Sequence, residues 1–143
     1  MVNLYKGIRM KKIAIIVIAF LMLGCAKKAP ECNSVKAKSL VIDATKDYVK
    51  NHYKSSIRDK LNFRDFNSLD DIAVYLEDKA KTIYESAEVK LDLIRVDSVD
   101  DVALKTSCSA DIVDNLDNRL SITYILQLTD DNRLVVEIYK DRT

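Results

Sequence analysis

The chain has 143 residues and a formal charge of +1, with two glycines, one proline, three cysteines, one histidine and no tryptophan. Both glycines, Gly7 and Gly24, precede Cys25, so the remaining 119 residues hold none that would let backbone close around a phosphate. P-loops and dinucleotide fingerprints are thereby excluded, and a single histidine, His52, argues against His-rich metal sites and His-centred catalysis.

Residues 1–24 read as a signal segment. Lys6, Arg9, Lys11 and Lys12 precede an apolar run from Ile13 to Leu23, too short for the ~20 residues that a membrane span needs. A basic region, a short apolar region and a small residue before a cut describe secretion; either Met1 or Met10 serves as the start. Leu21-Met22-Leu23-Gly24-Cys25 resembles a bacterial lipobox, which implies that Cys25 is lipidated with palmitate-type chains and becomes the mature N-terminus. An ordinary signal peptide or an uncleaved anchor is the alternative. Loss of the segment leaves 19 Lys plus Arg against 22 Asp plus Glu, and a mildly acidic exported domain lacks the basic footprint of a nucleic-acid reader. Residues 25–31 then form a lipidated tether, Ala26 to Glu31 reaching about 20 Å when extended, and residues 32–143 form a single domain.

Cys32 and Cys108 remain in an oxidising compartment and admit one disulfide connectivity; two free thiols or a metal pair are the alternatives. Ser34 caps a predicted helix from Val35 to about Tyr53, with Ala37, Val41, Ala44 and Tyr48 as its apolar stripe. Phe63 and Phe66 are expected to plug the following polar stretch into the core. Ser68 caps a second helix to about Ser86, striped by Leu69, Ile72, Leu76, Ala80 and Ile83.

From Val89 the period falls to 2 and β-branched residues take over, marking a sheet. Val89, Leu91 and Leu93 alternate inward, and Ile94 and Val96 switch parity, which predicts a bulge. Val102, Leu104, Thr106, Cys108, Ala110 and Ile112 share one face, as do Leu120, Ile122, Tyr124, Leu126 and Leu128, and finally Leu134, Val136 and Ile138. The expected fold is α+β: two N-terminal helices packed on one face of a four-stranded antiparallel meander. Parity fixes the last hairpin, because only a three-residue loop, Asp130 to Asn132, opposes Leu128 to Leu134. Asn132 then takes the left-handed position, and Asp114 to Asn118 should turn the preceding hairpin similarly.

The order of lipobox, Cys32, Ile94-Arg95, Cys108-Ser109-Ala110-Asp111, Ile122-Thr123-Tyr124 and Thr129-Asp130-Asp131 resembles a group of small bacterial and prophage-type lipoproteins of uncharacterised function. The resemblance implies a secreted helix-then-sheet domain with a cysteine bridge; it implies no activity.

The candidate chemistry is sparse. His52 has no histidine or free cysteine to join it and reads as structural or as a helix-end charge. Asp70-Asp71, Asp100-Asp101 and Asp130-Asp131 lack calcium-loop spacing and suit a helix start and two turns. Ser107 and Ser109 read as sheet surface, without a base. No catalytic residue, metal site, cofactor or small-molecule substrate is expected. The hairpin register instead puts Ile125, Val135 and Tyr139 outward, opposite the helices, as an apolar centre with Glu137 and Gln127 at its rim, a candidate partner-binding surface. The reading is a non-enzymatic, membrane-anchored envelope lipoprotein that binds an envelope protein; the alternative is a phage or plasmid exclusion factor or a hydrolase inhibitor. Ala26 after Cys25, by resemblance to Gram-negative sorting signals, implies the periplasmic side of the outer membrane.

Overall fold

The computed structural model describes residues 27–140; the signal segment, Cys25 and residues 141–143 lie outside them. The fold is α+β, two helices followed by an antiparallel meander: α1 (Val35–Arg58), a 3-10 turn (Phe63–Asp65), α2 (Leu69–Ser86), then β1 (Lys90–Asp100), β2 (Lys105–Val113), β3 (Arg119–Leu128) and β4 (Leu134–Lys140), in sheet order β1-β2-β3-β4. Both helices start where an extended serine turns its hydroxyl onto the first turn. Ser34 accepts from the Ala37 N–H and Ser68 from the Asp71 N–H, each satisfying a backbone donor that has no partner within the helix.

The buried stripe of α1 is Ala37, Val41, Thr45, Val49 and Tyr53, which differs from the predicted one: Ala44 is exposed and Tyr48 half-buried. A stripe advancing by four residues passes through Thr45, whose hydroxyl donates to the Val41 carbonyl at 2.8 Å and so enters the core satisfied. The helix also runs on to Arg58 rather than stopping near Tyr53. In α2, Ile72, Leu76 and Ala80 are buried as expected, but Leu69, which opens the first turn, is 83% exposed. Phe63 stays exposed on its 3-10 turn, whereas Phe66 packs edge-on against Tyr75 at 5.3 Å between ring centroids. Lys54 of α1 pairs with Glu77 of α2.

The inward face of the sheet carries Thr106, Cys108, Ala110 and Ile112 of β2 and Ile122, Tyr124 and Leu126 of β3, all buried. Leu128 opposes Leu134 and Leu126 opposes Val136, the register that the three-residue loop dictates. Asn132 (φ 62°) and Asp117 (φ 63°) hold the left-handed positions of the β3–β4 and β2–β3 hairpins, a conformation that short polar side chains tolerate best after glycine. Val102 and Leu104 fall before β2 rather than in it; Val102 is 98% exposed and Leu104 (φ 53°) closes the β1–β2 turn.

β1 is bulged twice. Register shifts fall between Asp92 and Arg95 and between Val96 and Ser98, so the parity switch predicted at Ile94 is followed by a second one at Asp97. The second shift returns Val99 to the inward face, opposite Thr106.

Cys32 is bonded to Cys108, which ties the entry to α1 to the inward face of β2. The segment before it, expected to be a free tether, is fastened along the end of the sheet. Lys27 donates to the Asp130 carbonyl, the Ala29 N–H to Asp101 Oδ1, and the Thr106 hydroxyl to the Pro30 carbonyl at 2.6 Å. Tyr124 donates to the Cys32 carbonyl, and burial beside that bond pushes its hydroxyl up to about 12.

Candidate functional site

The outward face of the sheet divides into two halves. Across β1, β2 and the start of β3 it is a charged lattice: Arg119 reaches Asp111 at 2.6 Å and Asp92 at 3.2 Å, Ser121 donates to Asp111, and Ser109 lies between Arg95 and Asp97. The Arg119 guanidinium and the Ser121 hydroxyl hold the Asp111 carboxyl below its ordinary range. Ser107 and Ser109 are half-buried surface here, and Ser109 spends its hydroxyl on that lattice.

The β3–β4 half pairs Thr123 with Tyr139, Ile125 with Glu137 and Gln127 with Val135. Val135 and Tyr139 are 43% and 44% exposed, and Ile125 and Gln127 are half-buried. The register corrects one feature of the expected surface. Glu137 stands between Val135 and Tyr139 along β4 and directly opposite Ile125, so it occupies the middle of the patch rather than its rim. The hydrogen bond to Glu137 raises the Tyr139 hydroxyl above its ordinary value. The arrangement is a mixed surface with a carboxylate at its centre, flanked by a tyrosine, a valine and an isoleucine.

On the opposite face lies a feature absent from the sequence reading. Lys28 to Asn33, Lys38 and the inward side of β1 enclose a groove of about 660 Å³, whose apolar wall is Leu91, Leu93, Ile94, Val96 and Val99. Its signal in the sequence was the pair Val96 and Val99, but the second bulge, which aligns them, breaks the alternation that would have shown it.

His52 is half-buried within α1, more than a turn before its end, so the helix-end role expected of it does not apply, since that effect is confined to the last turn. Its neighbour Tyr53 donates to Asp114 of the β2–β3 turn. Burial raises the Asp114 carboxyl, but bonds from Tyr53, the Asn118 side chain and the N–H groups of Asn118 and Leu116 outweigh it and leave Asp114 below its ordinary range. Tyr53 is raised, first by burial and then by that carboxylate. A void of only about 10 Å³ lies beside them, which makes this a structural lock rather than a ligand site. Among the described residues, no group of three or more His, Cys, Asp or Glu is placed to hold a metal, no buried side-chain nitrogen or oxygen lacks a partner, and no helix is long and apolar enough to cross a membrane.

Compared with protein-family models, with curated proteins and with solved structures, the chain matches none of them.

Proposed function

We propose that the protein is a lipid-anchored envelope protein that binds a protein partner at the membrane and catalyses no reaction. The observation that carries this reading is the fastening of Lys27, Ala29 and Pro30 to the end of the sheet. Cys25 precedes Lys27 by two residues, about 7 Å of chain at most, so an acyl anchor there draws the β1–β2 and β3–β4 turns against the bilayer. The strands then rise from the membrane and offer their faces sideways to a neighbour standing in the same membrane. The β3–β4 half of the outward face is the contact, with Tyr139, Val135 and Ile125 as apolar contributors and Glu137 as the central charge. Tyrosine is enriched at interface centres, and a desolvated charge there selects partners by complementarity.

The test is recovery of partners from native membranes. Wild type, Tyr139→Ala and Ile125→Asp are compared with Cys25→Ser, each checked for folding by circular dichroism. Loss of a specific partner in the two sheet variants, with folding intact, supports the reading; full recovery in both refutes the surface. Incorporation of labelled palmitate into Cys25→Ser would refute the anchor.

A further inference from the structure

Val96 and Val99 belong to the helix-bearing side of the sheet, paired with Cys108 and Thr106, yet they are 58% and 57% exposed. The cause is the path of α1, which lies over β4 and only brushes β1. Among the described residues, only the first turns of α1, at Lys38, border the inward side of β1 there, and the rest of its cover is the chain's own entry segment, which stands off far enough to leave the groove. A contiguous exposed apolar strip on a small domain marks a contact or ligand surface, and about 660 Å³ lies within the ~300–1,000 Å³ range of small-molecule sites.

We propose that this groove shelters an acyl chain carried by Cys25. The proposal rests on the anchoring reading above. The point of chain entry selects this occupant. Lys28 is part of the groove lining and Cys25 lies three residues before it, a backbone reach of about 10 Å at most. The wall suits hydrocarbon: Leu93, Ile94, Val96 and Val99 offer methyl and methylene surface. With no buried side-chain polar atom left unpartnered among the described residues, the groove presents no orphan group that calls for a polar ligand. Lys28, Lys38, Glu31 and Asp101 also line it, and the lysine stems can lie along an alkyl chain while their ammonium groups stay in water. One chain held in this way leaves the remaining acyl chains to grip the bilayer, and it seats the domain at a fixed angle to the membrane.

The full chain is grown with a diazirine-bearing palmitate analogue, extracted in detergent, irradiated and mapped by peptide mass analysis. The expected result is an intramolecular cross-link from the Cys25 lipid to the peptide containing Lys90–Asp100. Val96→Glu and Val99→Glu place a charge on the apolar wall and should each cut that yield about fivefold or more. Val102→Glu, on the exposed turn at the same end of the sheet and outside the groove lining, should leave it unchanged. Cross-links to detergent alone, or to β3 and β4 peptides, overturn the groove assignment while leaving the anchor intact. Equal loss in Val102→Glu also overturns it, since proximity to the micelle rather than the groove would then govern the yield. Absence of label on Cys25 overturns the anchor and this proposal together.

Discussion

Replacing both bridge cysteines, Cys32→Ala with Cys108→Ala, should destabilise the domain mainly through its unfolded state. The bond spans a sequence separation of 76 residues, and the chain-entropy relation for a loop of that length gives about 4.5 kcal/mol at 25 °C. Cys108 is wholly buried and Cys32 nearly so, so removal of the two sulfurs adds a small packing loss of the same sign. With an unfolding entropy of ~2.1 cal/mol/K per residue, the melting temperature should fall by roughly 15–20 °C. The measurement is a thermal melt of the detergent-extracted chain by circular dichroism, paired with urea titration. Because the constraint acts on the unfolded chain, the urea m-value should rise in the variant, whose denatured state is free to expand. A melting point within about 3 °C of wild type, with m unchanged, would refute the entropic account. A large fall at constant m would instead locate the loss in the native packing around Tyr124 and Thr106.

Tyr53→Phe removes one of the donors to Asp114 and should lower stability by about 1.5–3 kcal/mol, the range for a hydrogen bond to a charged group, read from the urea midpoint at constant m. Asp114 is depressed in the folded state, so its contribution is fully present above the unfolded carboxylate value of ~3.9 and is lost as pH falls through the lower folded value. The urea midpoint should therefore be flat from pH 7 to about 5 and decline below about 4, less steeply in Asp114→Asn; an unchanged slope would refute the assignment. Asp111, depressed first by Arg119, declines over the same window, so a residual slope is expected. Asn132→Gly should be tolerated, whereas Asn132→Val should cost about 1–2 kcal/mol at a left-handed position, as checked by thermal melts.

The sheet was legible where parity leaves one solution. Leu128 and Leu134 can share a face only across a three-residue loop, and the same logic gave the outward row of Ile125, Val135 and Tyr139. The helix caps were legible for a similar reason: Ser34 and Ser68 each stand directly before an apolar periodicity. What the sequence concealed depended on tertiary satisfaction. Thr45 is polar, so the apolar periodicity points to Ala44 instead, although the Val41 carbonyl makes Thr45 an ordinary core residue. Phe63 and Leu69 are large and apolar, yet both remain exposed. The groove was hidden because a bulge inserts a residue without any compositional mark. One parity switch could be read at Ile94; a second within a few residues looks like simple irregularity. Likewise no local pattern shows that Ala29 will find Asp101, which follows it by 72 positions. The place of Glu137 was only half legible: the outward row is set by parity, but its position opposite Ile125 makes it the centre of the patch rather than the rim.

The double bulge of β1 bears on how many copies can crowd together without harm. An outer strand displays a row of unpaired amide and carbonyl groups, a template on which another chain can polymerise. In β1 the regular pairing runs are Lys90 to Asp92, Arg95 to Val96 and Ser98 to Asp100, too short for an incoming straight strand to zip along. Each interruption also adds twist, which turns the next run out of plane. Under the proposed anchor, copies confined to a surface would meet one another far more often than in dilute solution, and self-templated fibrils would be a corresponding hazard. For this chain the irregularity at Leu93 and Asp97 works as a safeguard against amyloid-type stacking along that border. Straightening β1 by deleting Asp97 would remove part of that safeguard even where the fold itself survived.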